Sequence, residues 1–146
     1  FPYTTLFRSM DLAAMSASGG TAMVFTTSQN GQFSMRRCIS SSWAITLNTS
    51  TKAGLTLENT TINNCVIGVQ VISSGLNSTA RIYDSLLVSN TTAGLFVSGT
   101  GNKAEVSGNQ IIVSTKGLSV GSGGVISSYG DNVLAPGDPP VIIPKG

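Results

Sequence analysis

The sequence predicts an all-β fold, a single parallel β-helix wound from about five coils of roughly 22 to 26 residues. Three observations carry that prediction. Charged residues are 10% of the 146-residue chain, hydrophobic ones 40%. Small neutral residues supply the missing polarity: 21 Ser, 16 Thr, 17 Gly and 10 Asn, together 64 of 146. Leu, Val and Ile alternate with Ser and Thr, and Gly, Asn and Asp recur between the alternating runs, which is strand and turn chemistry rather than helix chemistry.

The repeat is visible in Gly54 to Val71, Ala80 to Val97 and Ala104 to Val120. Each segment opens with an alternating strand, reaches Asn, Asp or Gly, continues through an apolar pair, and closes with Gly and a second alternating strand. Gly68, Gly94 and Gly117 mark one point of the repeat at spacings of 26 and 23, and Ala44 stands 24 residues before Gly68. Alignment puts Phe33, Leu55, Ala80 and Ala104 in one column and Met35, Leu57, Ile82 and Val106 in the next. Ile62, Leu87 and Ile111 form a middle column. Ile45, Val69, Leu95 and Leu118 align in the last strand, as do Leu47, Val71, Val97 and Val120. Period-two alternation turns these columns inward and leaves Arg36, Glu58, Tyr83 and Ser107, and Thr46, Gln70, Phe96 and Ser119, outside. One coil cannot bury its own apolar row, so stacked coils must bury it for one another. An antiparallel sandwich gives no reason for such columns.

Four segments follow. Residues 1–9, FPYTTLFRS, look like the translation of a short-read sequencing adapter and are set aside from fold reasoning. Residues 10–22 are a truncated lead-in, 23–134 the coils, and 135–146 a Pro-rich tail. Pro136, Pro139 and Pro140 cannot donate to a ladder and end the stack. Val141, Ile142 and Ile143 are expected to cover its end. A stack that begins at Met23 would present an open coil at Val24, Phe33 and Met35, a template for end-to-end self-association.

These coils, GLSVGSGGVISSYGDNVL above all, resemble the right-handed parallel β-helix repeats of bacterial exported proteins in the pectate lyase-like superfamily. The resemblance spans about Met23 to Leu134. It implies a right-handed, single-stranded solenoid in a secreted or cell-surface protein, with a polysaccharide or surface glycan as partner. It does not select one activity, because that superfamily holds lyases, hydrolases, adhesins and tailspikes.

Residue by residue, the chain offers no catalytic constellation. It has no histidine, which removes Ser-His-Asp and Cys-His catalysis and histidine metal sites. Its six carboxylates are Asp11, Glu58, Asp84, Glu105, Asp131 and Asp138. Glu58 shares a column with Arg36, and Glu105 with Arg81, which reads as cross-strand ion pairing one coil apart. Asp84 and Asp131 fall at bends. The expectation is therefore no catalytic residue, no metal and no cofactor. Cys38 and Cys65 occupy different columns and are expected as small buried thiols rather than a disulfide. Asn59, Asn64, Asn90, Asn109 and Asn132 are read as structural corner residues, bonded by their amides from coil to coil. Asn-x-Ser/Thr sequons at Asn48, Asn59, Asn77 and Asn90 are what so Ser/Thr-rich a chain makes by chance.

Phe96, outward among polar neighbours, is the single candidate for ligand contact. The net charge is +2 and the eight basic residues are scattered, which gives nucleic acid no basic stripe to bind. No apolar run is long enough to span a membrane as a helix. Two functions remain: a non-catalytic structural, adhesive or carbohydrate-contacting module, and the C-terminal fragment of a polysaccharide lyase or glycoside hydrolase with its catalytic coils upstream.

Overall fold

The structure is a computed structural model and describes residues 4–8, 11–13, 20–25, 31–74, 77–112 and 115–134. It is built of short strands taken three at a time. The first three are β1 (Thr4–Arg8), β2 (Asp11–Ala13) and β3 (Gly20–Phe25), followed by β4 (Gly31–Arg36), β5 (Ile39–Ser41) and β6 (Trp43–Leu47). Next come β7 (Ala53–Glu58), β8 (Thr61–Asn63) and β9 (Ile67–Val71), then β10 (Thr79–Tyr83), β11 (Leu86–Val88) and β12 (Ala93–Val97). The last are β13 (Lys103–Ser107), β14 (Gln110–Ile112) and β15 (Lys116–Val120), with β16 (Val125–Ser128) and β17 (Val133–Leu134) beginning a further coil.

Every third strand pairs in parallel, giving sheets ordered β1-β4-β7-β10-β13-β16, β2-β5-β8-β11-β14-β17 and β3-β6-β9-β12-β15. This is a parallel β-solenoid with three faces. Phe33, Leu55, Ala80, Ala104 and Ile126 stand in one register, 22, 25, 24 and 22 residues apart. The columns expected from the sequence pair in the structure: Met35, Leu57, Ile82 and Val106 in succession, as do Ile62, Leu87 and Ile111. Ile45, Val69, Leu95 and Leu118 pair likewise. Leu47, Val71 and Val97 are buried as expected, but Val120, expected inward with them, is 56% exposed, in the strand that ends its sheet.

Alternation then does the packing. Met35, Leu57, Ile82, Leu87, Leu95 and Ile111 are fully buried in one continuous core. Burial of that kind contributes about 1.5–3 kcal/mol for each large aliphatic side chain. Each strand inside a sheet has a neighbour above and below, so the same stacking that hides the apolar rows also satisfies the backbone.

One expectation is corrected. The coil that begins at Gly31 is not open: β1 pairs with β4, β2 with β5 and β3 with β6. The strands of Gly31–Leu47 are therefore covered by β1, β2 and the first half of β3, which the sequence places before the stack, and by the rest of β3, which it places within it. Pairing of Thr4–Arg8 is a matter of backbone geometry and carries no information on the origin of residues 1–9. The tail 135–146, with the covering expected of Val141, Ile142 and Ile143, lies outside the described residues, as does Asp138.

Candidate functional site

Between the first and second sheets the chain turns through one residue in the left-handed region: Arg37 (φ 54°), Asn59 (φ 50°), Asp84 (φ 47°) and Gly108 (φ 67°). Asn, Asp and Gly accept this conformation at least cost; Arg37 does not. The next residue points inward: Cys38, Thr60, Ser85 and Asn109 are all buried. Its side chain donates to the carbonyl two residues back where it can, as Thr60 Oγ1 does to Glu58 O at 3.1 Å and Ser85 Oγ to Tyr83 O at 2.7 Å.

That side chain also accepts the backbone N–H of the preceding coil. Thr60 N donates to Ser85 Oγ at 3.1 Å, Ser85 N to Asn109 Oδ1 at 2.9 Å and Asn109 N to Asn132 Oδ1 at 2.9 Å. Asn109 Nδ2 further donates to Ile82 O at 2.8 Å and to Asn132 Oδ1 at 2.9 Å. A bend breaks the strand ladder and would orphan these donors. The inward column supplies the acceptors instead.

The second corner repeats the device. Ser42, Asn64 and Ser89 have φ of 65°, 57° and 54°. Cys65 N donates to Asn90 Oδ1 at 3.0 Å, and Asn90 is fully buried. The five asparagines singled out in the sequence thus occupy two kinds of place. Asn90, Asn109 and Asn132 form coil-to-coil bonds through their amides, whereas Asn59 and Asn64 are exposed left-handed bend residues.

Gly68, Gly94 and Gly117 lie inside β9, β12 and β15, just after the second corner, and all three are buried. A Cβ on Gly68 would fall 2.7 Å from Gly94 O and 2.9 Å from Asn90 Nδ2, so close approach excludes a side chain there.

The connection from the third sheet back to the first holds a residue that the sequence reading missed. Asn102 is fully buried, accepts from Ser78 N at 3.3 Å, and donates to Ser73 O at 2.8 Å and Ser98 O at 2.6 Å. One coil earlier the same place is filled by Thr49, Ser73 and Ser78, whose hydroxyls lie 3.1 and 3.2 Å apart. The signal was Asn placed just before a strand, as in GNKAEV, but varying loop length hid it from column alignment.

The outer faces differ in chemistry. On the first sheet Arg36 Nε meets Glu58 Oε2 at 2.9 Å and Arg81 Nε meets Glu105 Oε2 at 2.9 Å, the two pairs expected from their columns. Ser107 Oγ donates to Asp131 Oδ2 at 2.6 Å. Tyr83 stands outward among these groups. Partial burial pushes its hydroxyl pKa above the usual value, Glu105 and Tyr129 push the same way, and Arg81 opposes them. Along β5, β8, β11, β14 and β17 of the second sheet the outer positions, from Ile39 and Ser41 to Val133, carry no charged residue. On the third, Phe96 is half-buried between Gln70 and Ser119, and its ring end lies 3.1 Å from where a Cβ on Gly121 would sit. The ring covers a bare glycine, a packing role that needs no ligand.

Cys38 and Cys65 are buried and unlinked, at the first and second corners respectively. Burial pushes the Cys65 thiol up to about 11. Among the described residues no three His, Cys, Asp or Glu side chains group to hold a metal ion, and no helix is long and apolar enough to cross a membrane.

Three parallel sheets, one-residue left-handed corners and inward corner ladders define a parallel β-helix repeat protein. The profile of the family described as the right handed beta helix region matches residues 11–132, and the chain belongs to that family. Comparison with curated proteins and with solved structures found no match.

Proposed function

We propose that this chain is a non-catalytic β-helix module of a secreted or cell-surface protein, structural or adhesive in role, that meets glycans on an outer sheet face. The observation that carries the reading is the coil-to-coil pairing of charge on the first sheet, Arg36 with Glu58 and Arg81 with Glu105. Polysaccharide cleavage by acid–base chemistry needs ionisable groups that converge on one bond. Here they are spent along the stack, each exposed pair contributing at most about 1 kcal/mol. What such a face offers is a flat, regular surface, the property of a scaffold.

End-to-end self-association belongs to the same reading, since among the described strands those at either end of each sheet are paired on one side only. The test is to incubate the purified chain with a panel of plant and bacterial polysaccharides, following both retention and release of reducing ends. Retention without cleavage is expected. Reproducible release of oligosaccharides that tracks the protein through purification contradicts the proposal.

A further inference from the structure

The Asn-x-Ser/Thr sequons at Asn48, Asn59, Asn77 and Asn90 are potential acceptors of an N-linked glycan. In a compartment that modifies them, the donor is an oligosaccharide linked to a lipid diphosphate. Its C1–O bond to the diphosphate breaks, a bond from C1 to Asn Nδ2 forms, and the nitrogen gives up one proton. The product is a bulky polar chain that must reach solvent. Transfer acts on the extended chain ahead of folding. The finished structure therefore decides which modified chain can still fold, not which site is modified.

The structure divides the four. Asn48, Asn59 and Asn77 are exposed, in the bends and connections between strands. Asn90 is 0% exposed. Its Oδ1 accepts from Cys65 N at 3.0 Å, and its Nδ2 donates to Ile62 O at 3.5 Å. The same Nδ2 lies 2.9 Å from where a Cβ on Gly68 would sit, so even a methyl group does not fit between them. Asn102, Asn109 and Asn132 bond inward in the same manner, but the residues two places on are Ala104, Ile111 and Leu134. Among these inward asparagines Asn90 alone stands in a sequon.

We propose that a glycan on Asn90 and the folded stack exclude each other, so that this chain folds on a route where Asn-x-Ser/Thr sites are not modified before folding. With no part of Asn90 in contact with solvent, a sugar joined to Nδ2 has no direction in which to leave. Swinging the side chain outward removes the acceptor of the buried Cys65 N–H, a loss that water cannot make good at that depth. A chain modified there stalls with the coil of β7–β9 unjoined to that of β10–β12 at the second corner. Glycans on Asn48, Asn59 or Asn77 have solvent in front of them and are tolerated. The inference goes beyond the functional reading above, since neither glycan contact nor the lack of catalysis enters it.

Secretion of the chain from a eukaryotic cell line behind an added signal peptide tests this, with and without an inhibitor of glycan transfer. Mass spectrometry after enzymatic release of glycans in heavy-oxygen water reads occupancy at each Asn, and resistance to protease reads folding. Thr92→Ala removes the sequon and leaves Asn90 in place, because Thr92 is exposed and its bond to Val66 O is made by the backbone. Ser50→Ala, also at an exposed position, removes the sequon of Asn48 and serves as the control. Secreted, protease-resistant chain should carry no glycan on Asn90. Thr92→Ala or the inhibitor should raise its yield several-fold, and Ser50→Ala should not. Made in a bacterial cytoplasm, both variants should melt with the parent chain, which separates loss of the sequon from loss of the fold. Protease-resistant chain bearing a glycan on Asn90 overturns the exclusion. Yields that neither Thr92→Ala nor the inhibitor changes overturn the route.

Discussion

At the first corner β4, β7, β10 and β13 are each followed by two residues before the next strand, and one of the two is left-handed. The connection from the third sheet to the first takes five residues after β6, seven after β9, five after β12 and four after β15. Both places face the same difficulty, a break in the ladder that exposes backbone donors next to the core. Both meet it with a buried Ser, Thr or Asn side chain that accepts an N–H from the preceding coil. They differ in what sets length. The first corner must deliver Thr61, Leu86 and Gln110 in register within two residues, whereas the third connection delivers Ala53, Thr79, Lys103 and Val125 in register after four to seven, so its length is not fixed.

Lengthening each place separates the two demands. One Gly inserted between Asp84 and Ser85 moves Ser85 out of reach of Asn109 and turns Leu87 toward solvent, since a one-residue slip exchanges the faces of a strand. Loss of cooperative thermal unfolding is expected. The same insertion after the exposed Ser74 changes only loop closure, at less than about 0.6 kcal/mol, and the two melting curves decide the comparison. Equal damage from both insertions would erase the distinction.

Core truncation comes next in size. Leu95 lies between Val69 and Leu118 and is fully buried. Leu95→Ala should cost about 2–5 kcal/mol in urea unfolding, through lost contacts and the cavity left behind. An unchanged midpoint would place Leu95 on the surface.

Smaller and more telling are the corner asparagines. Asn109→Ala removes the side-chain acceptor of Ser85 N and a donor to Ile82 O, and Asn102→Ala removes the acceptor of Ser78 N and a donor to the carbonyls of Ser73 and Ser98. Each buried group left without a partner costs about 1–3 kcal/mol. The two variants should therefore lose stability comparably, although one lies in a fixed corner and the other in a variable loop. Asn59→Ala, at an exposed bend, should lose only about 1–2 kcal/mol, the left-handed backbone penalty. Urea midpoints in which Asn59→Ala matches Asn109→Ala would merge the two kinds of asparagine.

The pattern of what was legible follows the same division. Strand columns were readable because alternation has a fixed period, and a pairing such as Arg81 with Glu105 follows once the register is known. At a bend alternation stops, so nothing in the sequence told the inward Asn109 from the outward Asn59, which stand one position apart in the repeat. Asn102 was missed because its loop has no constant length. The coil of β1–β3 was not counted as one because residues 1–9 are set aside as an adapter translation and 10–22 are read as a lead-in, which leaves only a partial repeat before Phe33. Outwardness of Phe96 was readable, but its closeness to Gly121 depends on a side-chain direction that no pattern encodes.

Cys65 gives the smallest effect and a pH window. Its thiol is ionised near 9 when unfolded and near 11 when folded, because burial disfavours the thiolate. The unfolded state therefore releases its proton first as pH rises. The stabilising difference is complete below pH 9 and disappears toward pH 11. The urea midpoint should fall across that window by less in Cys65→Ala than in the parent chain. Identical slopes would mean that Cys65 meets water in the folded state.

The central claim is that inward corner side chains, not only strands, hold one coil to the next. Amide hydrogen exchange resolved by residue tests it most directly, because Thr60, Cys65, Ser78 and Ser85 donate their N–H groups to side-chain oxygens of the following coil and lie outside every strand. These four amides should exchange as slowly as those of Ile82 and Leu95 in the strand cores, opening only with global unfolding. Exchange of Ser85 and Thr60 at the rate of an unprotected loop amide, with the strands still protected, would contradict the account.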